Sequence, residues 1–300
     1  MYSRHRLRKL TLLVLFILSA CRQEIVGDGA LPVVTSVFKS TPTPVVTPIF
    51  NTPLPSVTPT FAFVPAQPLP SGPVNLLAIG DDLTRGDGDE FNRGYPGRLL
   101  ELISQIRPGS SVTNFGQTGW TSDDLVHGNA DFMGQLDRAV TEIQTSTSLG
   151  HPIIALVWVG GNDLWELYSG EAQVTPDQEE ADVRRFSENM SLTISELRKA
   201  GAEVVVAKLD DQAKRPAKTR GEVYPAITAE ELERMSQQVI KYNGEIERWA
   251  DKYGALTVDF FESEVFTSSS TLSSDGMHPN ASGYEDLTLL WYKALIPILP

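Results

Sequence analysis

Ile153-Ile154-Ala155-Leu156-Val157-Trp158-Val159, followed at once by Gly160-Gly161-Asn162-Asp163, is the stretch that decides the fold. Seven apolar residues in a row, stopped by paired glycines, are short for a helix and lack the alternation of a half-exposed strand. They suit a strand covered on both faces, as in a parallel sheet clothed by helices. Working outward, Val74–Ile79 repeats the pattern and stops at Gly80, while Ser111–Phe115, Glu203–Leu209 and Leu256–Phe260 read as three more strands. Between them, Gly94–Ile106 gathers Leu99, Leu100, Leu102 and Ile103 on one side of a helix. Met133–Ile143 reads as part of the next helix, and residues 178–200, Thr228–Tyr253 and Ala281–Ile296 as three others. Thr228 with Glu231 three residues on is a capping box. Alternating strands and helices predict an α/β fold, a three-layer α/β/α sandwich around a five-stranded parallel sheet. In such a sheet the ligand site lies at the carboxyl ends of the strands.

The amino-terminal quarter of the 300 residues has a different character. Arg4, Arg6, Arg8 and Lys9 precede the apolar run Leu10 to Ala20, the layout of an export signal over 1–21. That run is short for a permanent span of a bilayer core about 30 Å thick. It ends in Leu18-Ser19-Ala20-Cys21, which resembles the lipidation box of bacterial lipoproteins and predicts an acylated Cys21 as the mature terminus. Cys21 is the sole cysteine, so no disulfide can form within the chain. Eleven of the twenty prolines lie between Pro32 and Pro73, as in Thr41-Pro42-Thr43-Pro44. Proline removes backbone donors and favours extended geometry, so 22–72 reads as a disordered, semi-rigid linker to a domain over 73–300. The first 72 residues carry six of the 25 basic and two of the 38 acidic side chains, which leaves the remainder at −17. Such a charge repels phosphate backbones and anionic headgroups, so nucleic acid is excluded and membrane attachment falls to the lipid alone.

Four clusters follow the strands: Gly80-Asp81-Asp82-Leu83-Thr84, Gly116-Gln117-Thr118-Gly119-Trp120, Gly160-Gly161-Asn162-Asp163 and Asp275-Gly276-Met277-His278-Pro279. Each alone is a common turn. In this order at successive strand ends they resemble the blocks of the SGNH (GDSL) hydrolases, over roughly residues 74–298, with Gly94-Tyr95-Pro96 opening a helix much as in many members. The resemblance implies a flavodoxin-like sandwich and ester hydrolysis of small acyl esters or acetylated surface glycans. It assigns Gly119 and Asn162 to an oxyanion hole and Asp275 and His278 to a triad. It implies no cofactor and a monomer. The nucleophilic serine of the first block corresponds to Asp82 in this chain.

A hydroxyl at position 82 would attack an ester carbonyl with His278 as base and Asp275 fixing the imidazole. A carboxylate there would instead have to form an anhydride while expelling an alkoxide, and the reverse step expels the better leaving group. Three outcomes stay open: an inactive domain that binds an acylated or glycan ligand or a protein; hydrolysis with Asp82 attacking an alkyl carbon or steering a water, or with another serine recruited; or a cation held by Asp82 and His278, with Asn162 as a further candidate ligand and Asp275 behind the imidazole. Asp81 reads as a turn residue, and His127 and His151 as ordinary polar positions. Leu164–Glu179 and Asp210–Ala226 are expected to shape the pocket.

Overall fold

The computed structural model describes residues 62–170, 172–219 and 227–300. The export signal 1–21 with Cys21, the linker as far as residue 61, and residues 220–226 of the second pocket-shaping stretch lie outside the described residues.

Five strands form the sheet: β1 (Asn75–Gly80), β2 (Ser111–Asn114), β3 (Ile153–Trp158), β4 (Glu203–Lys208) and β5 (Leu256–Asp259). Their order is β2-β1-β3-β4-β5, with every pair parallel. All of β3 is buried, as its unbroken apolar run demands, whereas the edge strands β2 and β5 are half exposed. The helices are α1 (Asp82–Arg85), α2 (Gly94–Ile106), α3 (Ser122–His127), α4 (Gln135–Ser148), α5 (Gly161–Tyr168), α6 (Pro176–Ala200), α7 (Pro216–Thr219), α8 (Ala229–Tyr253) and α9 (Ala281–Leu295). Helices α2 and α9 pack together over one side of the sheet, and α4, α6 and α8 over the other. This is the α/β/α sandwich expected.

Aromatic side chains fill the α2–α9 side. Tyr95 stacks on Trp291 at 4.9 Å between centroids, and Trp158 on Phe260 at 4.3 Å. Opposite, Phe186 of α6 stacks on Tyr242 of α8 at 3.9 Å. Thr228 and Glu231 make both bonds of the expected capping box at α8. Helix α4 begins two residues later than its expected start and runs five residues beyond the expected end. Met133, the predicted first residue, pairs instead with Gly128 across an isolated bridge and is exposed.

The boundary of the linker differs from the compositional one. Residues 62–72 lie along the domain at the amino ends of the strands. Phe63, Ala66 and Leu69 pack on the core, at the three-residue spacing of a polyproline turn. Phe63 meets Tyr253 edge-on at 4.8 Å, and Leu69 donates its amide to Ile298 O at 3.0 Å. Proline-rich backbone has few donors to join a sheet, so here its carbonyls accept from buried arginines. Arg198 reaches Val64 O at 2.9 Å, and Arg107 reaches Pro70 O at 2.6 Å and Gly72 O at 3.0 Å. Gly254 ends α8 at φ 67°, and a Cβ there would lie 2.1 Å from Val64 O. Replacing Arg107 with alanine removes the donor from these carbonyls. We expect a loss of about 1–3 kcal/mol in denaturant unfolding and faster proteolysis within 62–72. Unchanged cleavage of this segment would show that the guanidinium does not hold it.

Candidate active site

The strand order reverses direction between β1 and β3, and the crevice opens at their carboxyl ends, where such sheets bind ligands. Gly80 leaves β1 at φ 150° with its backbone pressed on β3, since a Cβ would lie 1.9 Å from Trp158 O. Gln135 closes the gap on the other side, donating to Gly80 O at 2.8 Å and accepting from Gly80 N at 2.7 Å. The chain then enters α1. Asp81 caps that helix by accepting from Leu83 N at 3.1 Å, the turn role expected of it. Burial and the neighbouring Asp82 push the Asp81 carboxyl well above the ordinary carboxylate range.

Asp82 is the first residue of α1, and its carboxylate faces the crevice. Oδ1 accepts from Gly119 N at 2.9 Å, and Oδ2 accepts from Asn162 Nδ2 at 2.6 Å. Asn162 also donates to Trp120 O at 3.1 Å, so it spans the first and second blocks. The two groups that the resemblance assigns to an oxyanion hole are therefore both spent on Asp82. Gly119 has φ 78° and open space where a Cβ would sit, so the backbone turn, rather than crowding, favours glycine there.

The last block closes the site. Asp275 accepts from Met277 N at 2.7 Å and His278 N at 3.0 Å through Oδ1, and its Oδ2 lies 2.8 Å from His278 Nδ1. Burial raises the Asp275 carboxyl, but these bonds outweigh it and hold the group at about 2. His278 Nε2 then points toward Asp82, 4.0 Å from Oδ1. The structure thus gathers Asp82, Gly119, Asn162, Asp275 and His278 around one hollow.

Several contributors carried no signal in the sequence. Gly88, at φ 86°, lets its loop pass so close to His278 that a Cβ would lie 2.7 Å from the histidine Cβ. Asp163 is buried and accepts from Ser122 N at 2.8 Å and Ser122 Oγ at 2.5 Å, tying the third block to the start of α3. Burial lifts its carboxyl to about 6 against those bonds. The crevice continues into a cavity of about 300 Å³ walled by Trp165, Leu209, Gln212, Arg215, Ala217 and Met277. Both stretches expected to shape the pocket contribute, Trp165 from one and Gln212, Arg215 and Ala217 from the other. Arg215 is held by two bonds to Asp210 at 2.8 Å and donates to Met277 O at 3.1 Å, bracing the histidine loop. Lys218 is buried with Nζ 4.2 Å from the Trp165 ring centroid, and burial followed by Arg215 pushes its ammonium well below the usual lysine range.

A model of the GDSL-like lipase/acylhydrolase family matches residues 78–285. The chain is similar to the uncharacterised Bacillus subtilis protein YpmR, 24% identical over 228 residues that span 73% of this chain and 80% of that one. Among solved structures it resembles the Pseudoalteromonas esterase EstA at 16% identity and a TM-score of 0.51, covering 74% of this chain and 96% of that one. It also resembles phospholipase A1 of Streptomyces albidoflavus at 17% identity and a TM-score of 0.51, covering 74% and 100% respectively. At such identities the two structures speak for the fold alone.

Proposed function

The chain belongs to the GDSL-like lipase/acylhydrolase family, and from that premise we propose an esterase-type domain whose serine route is closed by Asp82. The cleft then serves to hold a short acyl ester or an acetylated surface glycan without turning it over. The observation that carries this reading is the pair of hydrogen bonds from Gly119 N and Asn162 Nδ2 to the Asp82 carboxylate. An ester oxygen that gains charge needs those donors, and here a charged oxygen of the protein already holds them. Attack by Asp82 itself reverts, because the tetrahedral adduct on the ester expels the Asp82 carboxylate more readily than the alkoxide. In the wild type, hydrolysis of a short-chain aryl ester should not rise above buffer. Turnover that disappears in His278→Ala would overturn the reading and point to a water directed by Asp82 and His278.

The same reading places the domain outside a bacterial cytoplasmic membrane, held by an acyl chain on Cys21 through the proline-rich linker, as a monomer that binds no nucleic acid. What supports it is the basic and apolar leader ending at the sole cysteine, together with the −17 balance beyond residue 72. Among the described residues no helix is long and apolar enough to cross a membrane. Cys21→Ser should move the protein from the membrane fraction to the aqueous phase. Retention of that variant at the membrane would remove the lipid from the account.

A further inference from the structure

Asp87 stands in the turn that follows α1, and nothing in the serine chemistry calls for it. Gly86 reverses the chain at φ 99°, and Asp87 N donates back to Asp82 O at 3.0 Å. This brings the carboxylates of residues 82 and 87 to the same rim of the crevice as His278. One donor atom from each of Asp82, Asp87 and His278 can be chosen so that all three lie within 4.8 Å of one another. We propose that these three side chains form a divalent-cation site at the mouth of the crevice. The proposal goes beyond the closed-esterase reading and needs neither the lipid nor an organic ligand.

The imidazole distinguishes this set from a mere patch of acids. Asp275 engages Nδ1, which leaves Nε2 as the nitrogen turned toward Asp82. Among the described residues no hydrogen bond is made by Nε2. A carboxylate behind a histidine is the usual support of a metal-binding imidazole, since it fixes the tautomer and raises basicity. The carboxylates keep capacity as well. Asp82 Oδ1 accepts one amide and Asp87 Oδ2 accepts Thr118 Oγ1 at 2.5 Å, and an ionised carboxylate oxygen has a second lone pair. The competing cation is Arg85, whose Nη1 is 3.5 Å from Asp87 Oδ1. Its side chain is 56% exposed, so water can receive it when an ion arrives.

Size and charge agree with one small ion. Zinc binds imidazole nitrogen and carboxylate oxygen at about 2.0–2.2 Å, which sets neighbouring donors roughly 3.3–3.5 Å apart. Contraction from the present spacing asks for about an ångström of movement, within reach of rim side chains that are 14–23% exposed. One imidazole and two carboxylates balance a divalent charge and leave positions for water. The mixed N and O donors favour zinc over calcium, which prefers six to eight oxygens.

Calorimetric titration of the full chain with zinc chloride tests the site, with calcium chloride as comparator. We expect one zinc ion per chain, bound more tightly than calcium, with affinity at least tenfold lower in Asp87→Asn and in His278→Ala. Asp275→Asn should weaken it about tenfold by removing the support of the imidazole. Manganese provides a local readout that does not depend on the variants, because its paramagnetism should broaden the His278 ring protons before those of His127 and His151. Absence of zinc binding, binding unaltered in both first variants, or equal broadening of the His278, His127 and His151 rings would overturn the proposal. Ester turnover plays no part in these measurements, so their failure leaves the closed-esterase reading standing, and the converse holds.

Discussion

We expect Asp82→Ser to raise aryl-ester turnover at least a thousandfold over the wild type, with Asp82→Ala between the two. The ordering follows from what the carboxylate occupies. An oxyanion donor is worth about 2.7–4 kcal/mol to the transition state, and Gly119 N and Asn162 Nδ2 are both engaged by Asp82. A triad enzyme stripped of its nucleophile keeps roughly 10³–10⁴ over water through its oxyanion hole and binding. On the proposed reading the wild type forfeits even that share, since Asp82 fills the hole from within. Alanine vacates the hole without supplying a nucleophile, so it recovers part of the loss. Serine supplies both, with the imidazole already oriented by Asp275 at 2.8 Å. Initial rates on one short-chain aryl ester for the three proteins decide the matter. If alanine is slower than the wild type, Asp82 does chemistry and the site is not closed. If serine gains nothing, the crevice has lost more than its nucleophile.

The bond between Asp82 and Gly119 N is the kind of fact a sequence withholds. Glycine-terminated apolar runs located β1 and β3 because burial on both faces leaves a one-dimensional trace. The blocks after them located Asp82 and Asn162 because strand ends converge in a parallel sheet, while Asp275 and His278 were located by the resemblance. Which way a carboxylate turns is settled by donors thirty-seven and eighty residues away, and no local pattern encodes it. Helices α1 and α3, of four and six residues, are too short to show a period, so they read as loop. Asp87 escaped with them, since only the reversal at Gly86 brings it to the rim. Arg215 and Lys218 escaped because charged residues in a loop-rich stretch suggest a solvated surface, whereas both are buried here. The strap at 62–72 was hidden by composition, though the spacing of Phe63, Ala66 and Leu69 was its visible sign. Proline content reports which bonds a backbone cannot donate and says nothing of those its carbonyls accept.

The second large effect is expected on stability, where Asp89→Asn should cost about 3–5 kcal/mol at neutral pH. Its carboxylate accepts from Phe91 N at 3.1 Å, from Arg93 N and Gly94 N at 2.8 Å, and from Arg98 Nη1 and Nη2 at 2.5 and 3.0 Å. Both partners of the Arg98 pair are buried, at 5% and 0% side-chain exposure. An amide cannot neutralise Arg98, so the variant keeps an uncompensated buried cation, which is the costly way to break such a pair. The effect should depend on pH in a definite direction. Burial raises the Asp89 carboxyl, but the Arg98 bond and the three amides outweigh it and hold the group well below the ordinary range. A depressed folded-state value means that the stabilisation is fully present above the unfolded value of about 3.9, and is lost as pH falls toward the folded one. The gap in unfolding free energy between wild type and variant is therefore constant from pH 7 to about 5 and narrows below about 4. Denaturant midpoints measured at pH 7, 5, 4 and 3 would show it. A gap that stays flat into acid would mean that the carboxylate charge is not what holds Arg98. The same loop carries Asp87 and the Gly88 contact with His278, so Asp89→Asn should also loosen the rim of the crevice. Its cation affinity should fall even though residue 89 touches no proposed ligand, which sets the architecture of the loop, rather than the number of acids, as the basis of the site.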